Sequence, residues 1–360
     1  MNRDEHAGRS PSMPMLNPLT IKQLQRFRSI KRGYYSAVIL AVALVLSLGA
    51  ELLVNSRALV VHYQGDLIFP TYGDVIPGRS FGLDYDYETN YRELKRLFAE
   101  RDEGDWVLMP PVPYDALEND LSPGTYPPDP PSFANSHYLG TDSTGRDVLA
   151  RLVYGFRLAF GFAAILLACN YVIGITLGCA MGFWGGAFDL LFQRLIEILN
   201  NVPFLYVIMI VASIVVQSFW TLLAVMVMFG WTQMTWYMRT STYKEKSREY
   251  VLAARAMGAS SPRMVASHIL PNTISVIVTF IPFSIAGAIT TLTALDYLGF
   301  GLPPPTPSWG ELLQQGTNHL ESPWIVTSVV VAMVLVLLMV TYVGEAIREA
   351  FDPKKFTYYE

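Results

Sequence analysis

The stretch VLAARAMGASSPRMVASHILPN, residues 251–272, lies between two apolar segments and decides how the rest of the chain is read. Arg255 and Arg263 make it too basic, and Gly258, Pro262 and Pro271 too broken, to cross a bilayer. The run LAARAM favours helix, because alanine has the highest intrinsic propensity. Gly258 fits the position just past a helix end, where a left-handed residue closes the last turn. Ser261 before Pro262 reads as an N-cap with proline at the first helical position, restarting a helix that reaches Pro271 at the membrane edge. The stretch therefore encodes helix, sharp turn, helix on a membrane surface. Small side chains at Ala253, Ala254, Ala256, Gly258 and Ala259 allow another backbone to approach closely. The competing reading, a plain interfacial loop, would show larger apolar anchors on one face.

Working outward, the chain is 52% hydrophobic and only 16% charged over 360 residues, against about 25% charged in an ordinary soluble domain. About 20 apolar residues span a bilayer, and six runs qualify: Tyr34–Val54, Leu158–Phe183, Ile196–Val216, Trp220–Met238, Ile274–Leu298 and Trp324–Val343. The first is too long for a cleavable signal core and follows a polar tail, so it reads as a retained anchor. Lys22, Arg26, Arg28, Lys31 and Arg32 precede it, and Arg239, Lys244, Lys246, Arg248, Arg255 and Arg263 surround the elbow, whereas residues 299–323 carry no Lys or Arg. Positive residues mark the cytoplasmic side, so both termini and the elbow are expected there. The expected division is a cytoplasmic tail over 1–33, a first span over 34–54, an external (periplasmic) insert over 55–153, a five-helix core over 154–345 and a cytoplasmic tail over 346–360.

The insert holds 16 acidic against 8 basic residues and many prolines, which predicts irregular loops, with one amphipathic helix in YETNYRELKRLFAERD, residues 87–102. It reads equally as a solvated cap or as a docking surface for a soluble partner. Cys169 and Cys179 share one predicted helix about 15 Å apart, beyond the roughly 7 Å a disulfide tolerates, and read as small buried hydrophobes. His6, His62, His137, His268 and His319 show no metal-ligand spacing. There is no G-x-x-x-x-G-K-[ST] loop, nucleophile elbow or HExxH, so no chemistry is expected of this chain.

Two spans carry polar groups. In RLIEILNNVP, Arg194, Glu197 and Asn200 or Asn201 share a helical face; Arg194 and Glu197 read as a headgroup-level pair. Asn200, Asn201 and Pro203 lie deeper, either on a translocation path or in helix–helix packing with hydrogen bonds from the asparagines, and Pro203 is expected to flex the helix by opening its backbone ladder. In the fifth span Pro282, Gly287, Thr290, Thr291 and Thr293 offer a polar, kinkable face, and Asp296 either meets a cationic group on the path, caps locally or pairs with a neighbouring chain.

Three segments carry a resemblance. Ala253-Ala254…Gly258…Leu270-Pro271 resembles the EAA motif of ABC importer permeases, with Leu252 at the motif's glutamate and His268 at an apolar position. HYLGTDSTGRDVLARLVYGFRLAFGF (137–162) and LDYLGFGLPPPTPSWGELL (295–313) resemble segments of the dipeptide/oligopeptide branch. In the former, Thr141 or Asp142 is expected to cap the helix, and Arg146, Arg151 and Arg157 to keep its polar face outside the apolar core. The resemblance implies an all-α integral membrane protein, six transmembrane helices in the type I ABC importer permease fold with an irregular external insert between the first two. It implies a non-catalytic subunit moving peptides or peptide-like compounds, peptide antibiotics of the microcin type among them. Ala253, Ala254, Met257, Gly258, Ala259, Ser260, Ser261, Pro262 and Arg263 would dock on the ATPase. Asn200, Asn201, Pro203, Thr290, Thr291 and Asp296 are the path candidates. No cofactor or metal is expected on this chain; ATP and Mg²⁺ would bind a partner ATPase, one chain with two nucleotide-binding domains. The other implied partners are a second permease subunit in a heterodimer, a periplasmic solute-binding protein, the peptide cargo and membrane lipid, with no nucleic acid. Two other classes compete. An ion-driven secondary transporter would need inverted repeats, which are not seen, and a non-transporting scaffold would not need the elbow.

Overall fold

The computed structural model describes residues 18–121 and 126–351; the outer parts of both expected tails, 1–17 and 352–360, lie outside the described residues. The spine is α4 (Val148–Trp184), packed along α7 (Phe219–Lys246). Gly174, Gly178 and Gly182 recur every four residues on the α4 face that meets α7. A Cβ on Gly178 would sit 2.5 Å from the Thr235 carbonyl oxygen, and one on Gly182 2.6 Å from that of Arg239. The two backbones therefore touch, which is how membrane helices gain contact where lipid offers no hydrophobic drive. Helices α10 (Leu270–Tyr297) and α12 (Pro323–Ala350) complete the bundle. α2 (Lys31–Leu48) lies along α12, and α1 (Pro18–Ser29) contacts both. The main core gathers Phe156, Phe162 and Leu166 of α4 with Ile289 and Leu292 of α10 and Ile325 and Val329 of α12.

Among the described residues four helical runs are long and apolar enough to cross a membrane alone: Lys31–Leu48, Val148–Trp184, Ser261–Tyr297 and Pro323–Ala350. The expected third span, Ile196–Val216, is not one helix. α5 (Gly186–Asn201) and α6 (Phe204–Ile214) meet at 74° and make a fifth span if counted together. The break follows from Pro203, which offers no N–H and forces the residue before it out of helical geometry; Val202 has ψ 121°. The expected fourth span lies inside α7, whose threonines, Gln233 and tryptophans dilute its hydropathy, and it falls outside that count. The first span stops at Leu48 rather than Val54, and the second begins at Val148 rather than Leu158.

The insert is more ordered than its proline content predicts. β1 (Val60–Tyr63) pairs with β2 (Asp66–Ile68) and β3 (Trp106–Leu108) in an antiparallel sheet of order β2-β1-β3. Gln64 and Gly65 both take positive φ in the two-residue hairpin loop, the geometry that matches strand twist. The predicted helix forms as α3 (Tyr91–Arg101), capped by Asn90, whose side chain accepts from the Arg92 and Glu93 amides. Val61, Phe81, Tyr91, Leu94, Phe98 and Val107 give this cap its own core. Its two ends are tied together: the Asn55 amide donates to the Val112 carbonyl at 3.1 Å and the Val112 amide to that of Leu53 at 3.0 Å. The described part of the proline-rich segment from there to α4 is irregular.

Candidate functional site

The elbow begins as α8 (Glu249–Ala256). Its last turn closes through Gly258 at φ +82°: the Gly258 amide donates to the Arg255 carbonyl and the Ala259 amide to that of Ala254, both at 3.0 Å. This is the paired-bond helix stop that glycine permits at little cost. The restart comes at Ser260, one residue earlier than expected. Ser260 is the N-cap, without a side-chain bond, and Ser261 and Pro262 lie in the first turn of α9 (Ser261–Met264). Nor does the second helix stop at Pro271. A π-turn over Val265–Ile269 carries α9 into α10. It lies directly before Pro271, which has no N–H to give to the preceding turn.

One side of the elbow is fixed. Val251, Ala254, Met264 and Ile269 bury against Phe183 at the end of α4. Lys246 donates to the Phe183 carbonyl, and the Lys246 and Arg255 cations lie 5.5 and 5.8 Å from its ring centre. Tyr250 donates to Glu245 at 2.7 Å; burial and that carboxylate push its phenol up to about 12, so it stays a donor. The other side is free. Leu252, Ala253, Ala256, Met257, Gly258 and Ser260 are exposed, Met257 at 82%, as are Pro262 and Arg263, while Ser261 and Ala259 are half-buried. Two large apolar side chains in water on a short helix built from alanine form a surface suited to a partner.

From the elbow α10 runs toward the cap and lines a cavity of about 400 Å³ with α4, α7 and the start of α6. Of the expected path residues, Thr291 lines it. Asn200 accepts from Thr232 at 3.3 Å, and Asn201 donates to the Glu197 carbonyl at 2.7 Å, both beside the break at Pro203. Thr290 is exposed and donates to Ala286 at 2.9 Å. Asp296 is buried: its Oδ1 accepts from the Leu302 amide at 2.7 Å and its Oδ2 from the Ser308 hydroxyl, stapling the loop that follows α10. Arg194 and Glu197 pair at 2.6 Å in the open. The lining residues Asn170, Gln233 and Ser284 were not legible beforehand, because each sits in an otherwise apolar run and only the helix contacts align them.

At the cap end the two loop motifs lock onto each other. The helix cap is Asp147, not Thr141 or Asp142: its Oδ1 accepts the Ala150 amide at 2.7 Å. Arg146 and Arg151 do not stay outside the core but are buried. Arg146 bonds Asp142 at 2.8 Å and, at 2.9 Å, Glu311 of α11 (Trp309–Asn318); Arg151 also pairs with Glu311 and lies 3.5 Å from Asp142. Two guanidiniums and two carboxylates cancel, which is what makes their burial tolerable. Trp309 donates to the Leu152 carbonyl at 3.0 Å and Trp324 to that of Thr141 at 3.2 Å. Only Arg157 stays partly exposed, paired with Glu51 at 2.8 Å. Beside the lock, His137 bridges Asp147 at 2.8 Å and Asp120 at 3.2 Å and stacks on Tyr114. Burial alone would lower its pKa, but the two carboxylates outweigh it and push the imidazole up to about 9. The His137 bond in turn holds Asp120 below its ordinary range.

An exposed elbow at one end, a cavity along the helix it leads into and a buried ion cluster at the other end make up the site. The family model for the binding-protein-dependent transport system inner membrane component matches residues 174–357, and the chain belongs to that family. It is thus a non-catalytic, multi-pass permease subunit of an ABC importer with the type I fold, and membership implies an ATPase partner and a binding protein. Among individual proteins, it is 38% identical over 346 residues to the inner membrane ABC transporter permease protein YejE of Escherichia coli K12, covering 95% of this chain and 99% of that one. It is 35% identical to the peptidoglycan transport system permease protein YejE of Agrobacterium fabrum C58, covering 96% of each. The oligopeptide transport system permease protein OppC of Escherichia coli K12 is 33% identical, over 62% of this chain and 74% of that one.

Proposed function

We propose that this chain is one of two unlike permease subunits, its partner YejB-like, in an importer for peptides or peptide-like compounds, and that residues 251–272 couple it to the ATPase. The observation that carries the coupling is continuity: the exposed face of α8 is held to α9, and α9 runs through the π-turn into the helix that lines the cavity. Closure of the ATPase, which holds ATP and Mg²⁺, pushes the elbow, and α10 transmits the push to the cavity wall. The docking set is Ala253, Met257, Gly258, Ala259, Ser260, Ser261, Pro262 and Arg263, with Leu252 giving an apolar contact where the motif has a charge; Ala254, expected in that set, is instead buried against Phe183 and holds the elbow to α4. The elbow and both termini face the cytoplasm, as the basic residues flanking α1 and α8 favour. The cap meets the periplasmic binding protein. The peptide cargo follows from the peptide systems named among the relatives.

The test replaces Gly258 with Val in proteoliposomes holding the whole importer. Positive φ is unfavourable for a β-branched residue, so the stop at α8 must change. Uptake and cargo-stimulated ATPase activity fall together. Wild-type values for both would rule out the coupling role.

A further inference from the structure

The cavity beside α10 has an unusual polar inventory. No Asp, Glu, Lys, Arg or His lines it among the described residues, and its walls include Phe204, Phe229 and Phe280. Yet two carboxamides face this space without partners. Asn170 of α4 makes no hydrogen bond among the described residues, and its Oδ1 is shut off from solvent. The amide fits there because Gly230 has no side chain: a Cβ at that position would lie 2.2 Å from the Asn170 Nδ2. Gln233, one turn along α7, is exposed to the same space and is likewise unpaired. By contrast Tyr171 and Ser284 bond each other at 2.8 Å.

An unpaired amide in an apolar wall is poised for a partner, since a buried polar group is costly until it is hydrogen-bonded. A carboxamide offers one N–H donor group and one carbonyl acceptor, the same pair that a peptide group presents. A cargo ammonium or carboxylate finds no counter-charge on these walls and loses its water on entering. From this chemistry we infer that the cavity holds cargo by its uncharged peptide groups, with Asn170 and Gln233 as the recognising pair, and does not distinguish cationic from anionic side chains. Asn170 donates through Nδ2 to a cargo carbonyl, and Gln233 both donates and accepts. The aromatic walls take apolar side chains of any sequence. This rests on the peptide reading above.

The experiment uses proteoliposomes with both permeases, the ATPase and the binding protein, supplied with a pool of random tripeptides, the internalised peptides being counted by mass spectrometry. Gln233→Leu lowers total uptake about tenfold, the scale of one lost hydrogen-bonding pair, and leaves the ratio of lysine- to glutamate-containing peptides as in wild type. Gln233→Glu and Asn170→Asp each place a carboxylate on the wall and raise that ratio severalfold. The inference is overturned if Gln233→Leu transports at the wild-type rate, if neither acidic variant moves the ratio, or if Gln233→Leu no longer co-purifies with the second permease, which would make the residue an assembly contact. Failure of the peptide reading looks different: the wild-type importer then takes up no peptide from the pool, and the inference falls with it.

Discussion

His137 shows how much of the cap's attachment rests on single side chains. It is buried between Asp120 and the Asp147 that caps α4, with Tyr114 stacked on it and Arg92 lying 4.4 Å from the Tyr114 ring centre. Its pKa is raised in the folded protein, to about 9, so the charged form is the one the fold favours. The contribution is therefore complete below the unfolded value near 6.5 and is lost as pH rises through about 9, an effect of about 3 kcal/mol at one pKa unit per 1.36 kcal/mol. The melting temperature of the purified protein should fall between pH 6.5 and 9.5, and His137→Gln should flatten that fall. Equal slopes in the two proteins would show that the bridge is not the cause. The bridge is not legible in the sequence, because Asp120 is separated from His137 by a proline-rich stretch whose path only the fold defines.

At the scale of elements, the Arg146, Arg151, Asp142 and Glu311 cluster joins the start of α4 to α11. Removing one partner leaves an uncompensated buried charge, which costs about 3–5 kcal/mol. Arg151→Met should thus lower stability far more than Arg157→Met, whose residue pairs with Glu51 in partial contact with water; chemical denaturation of the two variants checks this. The cap makes a second element-level prediction. Because its ends are bonded at Asn55 and Val112, replacing 57–110 by a short glycine linker should leave α4, α7, α10 and α12 assembled. Proteolysis of the excised protein in detergent, scored by the size of the resistant fragment, reports the outcome. The elbow's two helices and their glycine stop were legible because Gly258 and Pro262 act locally. α3 was legible for the same reason, from its periodicity. The bend between α5 and α6 was foreseen only as a proline effect, since whether a proline flexes or breaks a helix depends on what packs around it. The burial of Arg146 and Arg151 was read the wrong way round. Charges are placed outside by default, and their neutralising partner Glu311 is remote in sequence. The stripe Gly174, Gly178, Gly182 was in plain view and would have paired α4 with a neighbour, though not with α7 in particular.

For the whole molecule, the proposed coupling requires that the elbow and the α10 wall of the cavity move as one body. α8 to α10 are joined by a glycine stop, a capless restart and a π-turn, and two buried apolar clusters, one around Phe183 and one in which Val265 and Leu270 pack near Cys179, tie the inner face of the elbow to α4. A force on Met257 should therefore slide this unit against α4 rather than bend it. The direct measurement is pulsed electron resonance on the assembled importer, with Cys169 and Cys179 replaced by alanine. Spin labels go at Met257→Cys with Thr290→Cys, and separately at Met257→Cys with Val172→Cys, all exposed positions. When the ATPase closes on nucleotide, the 257–290 distance should hold while the 257–172 distance shifts by a few ångström, as in known helix-shift transitions. A 257–290 distance that changes while 257–172 stays fixed would contradict the lever.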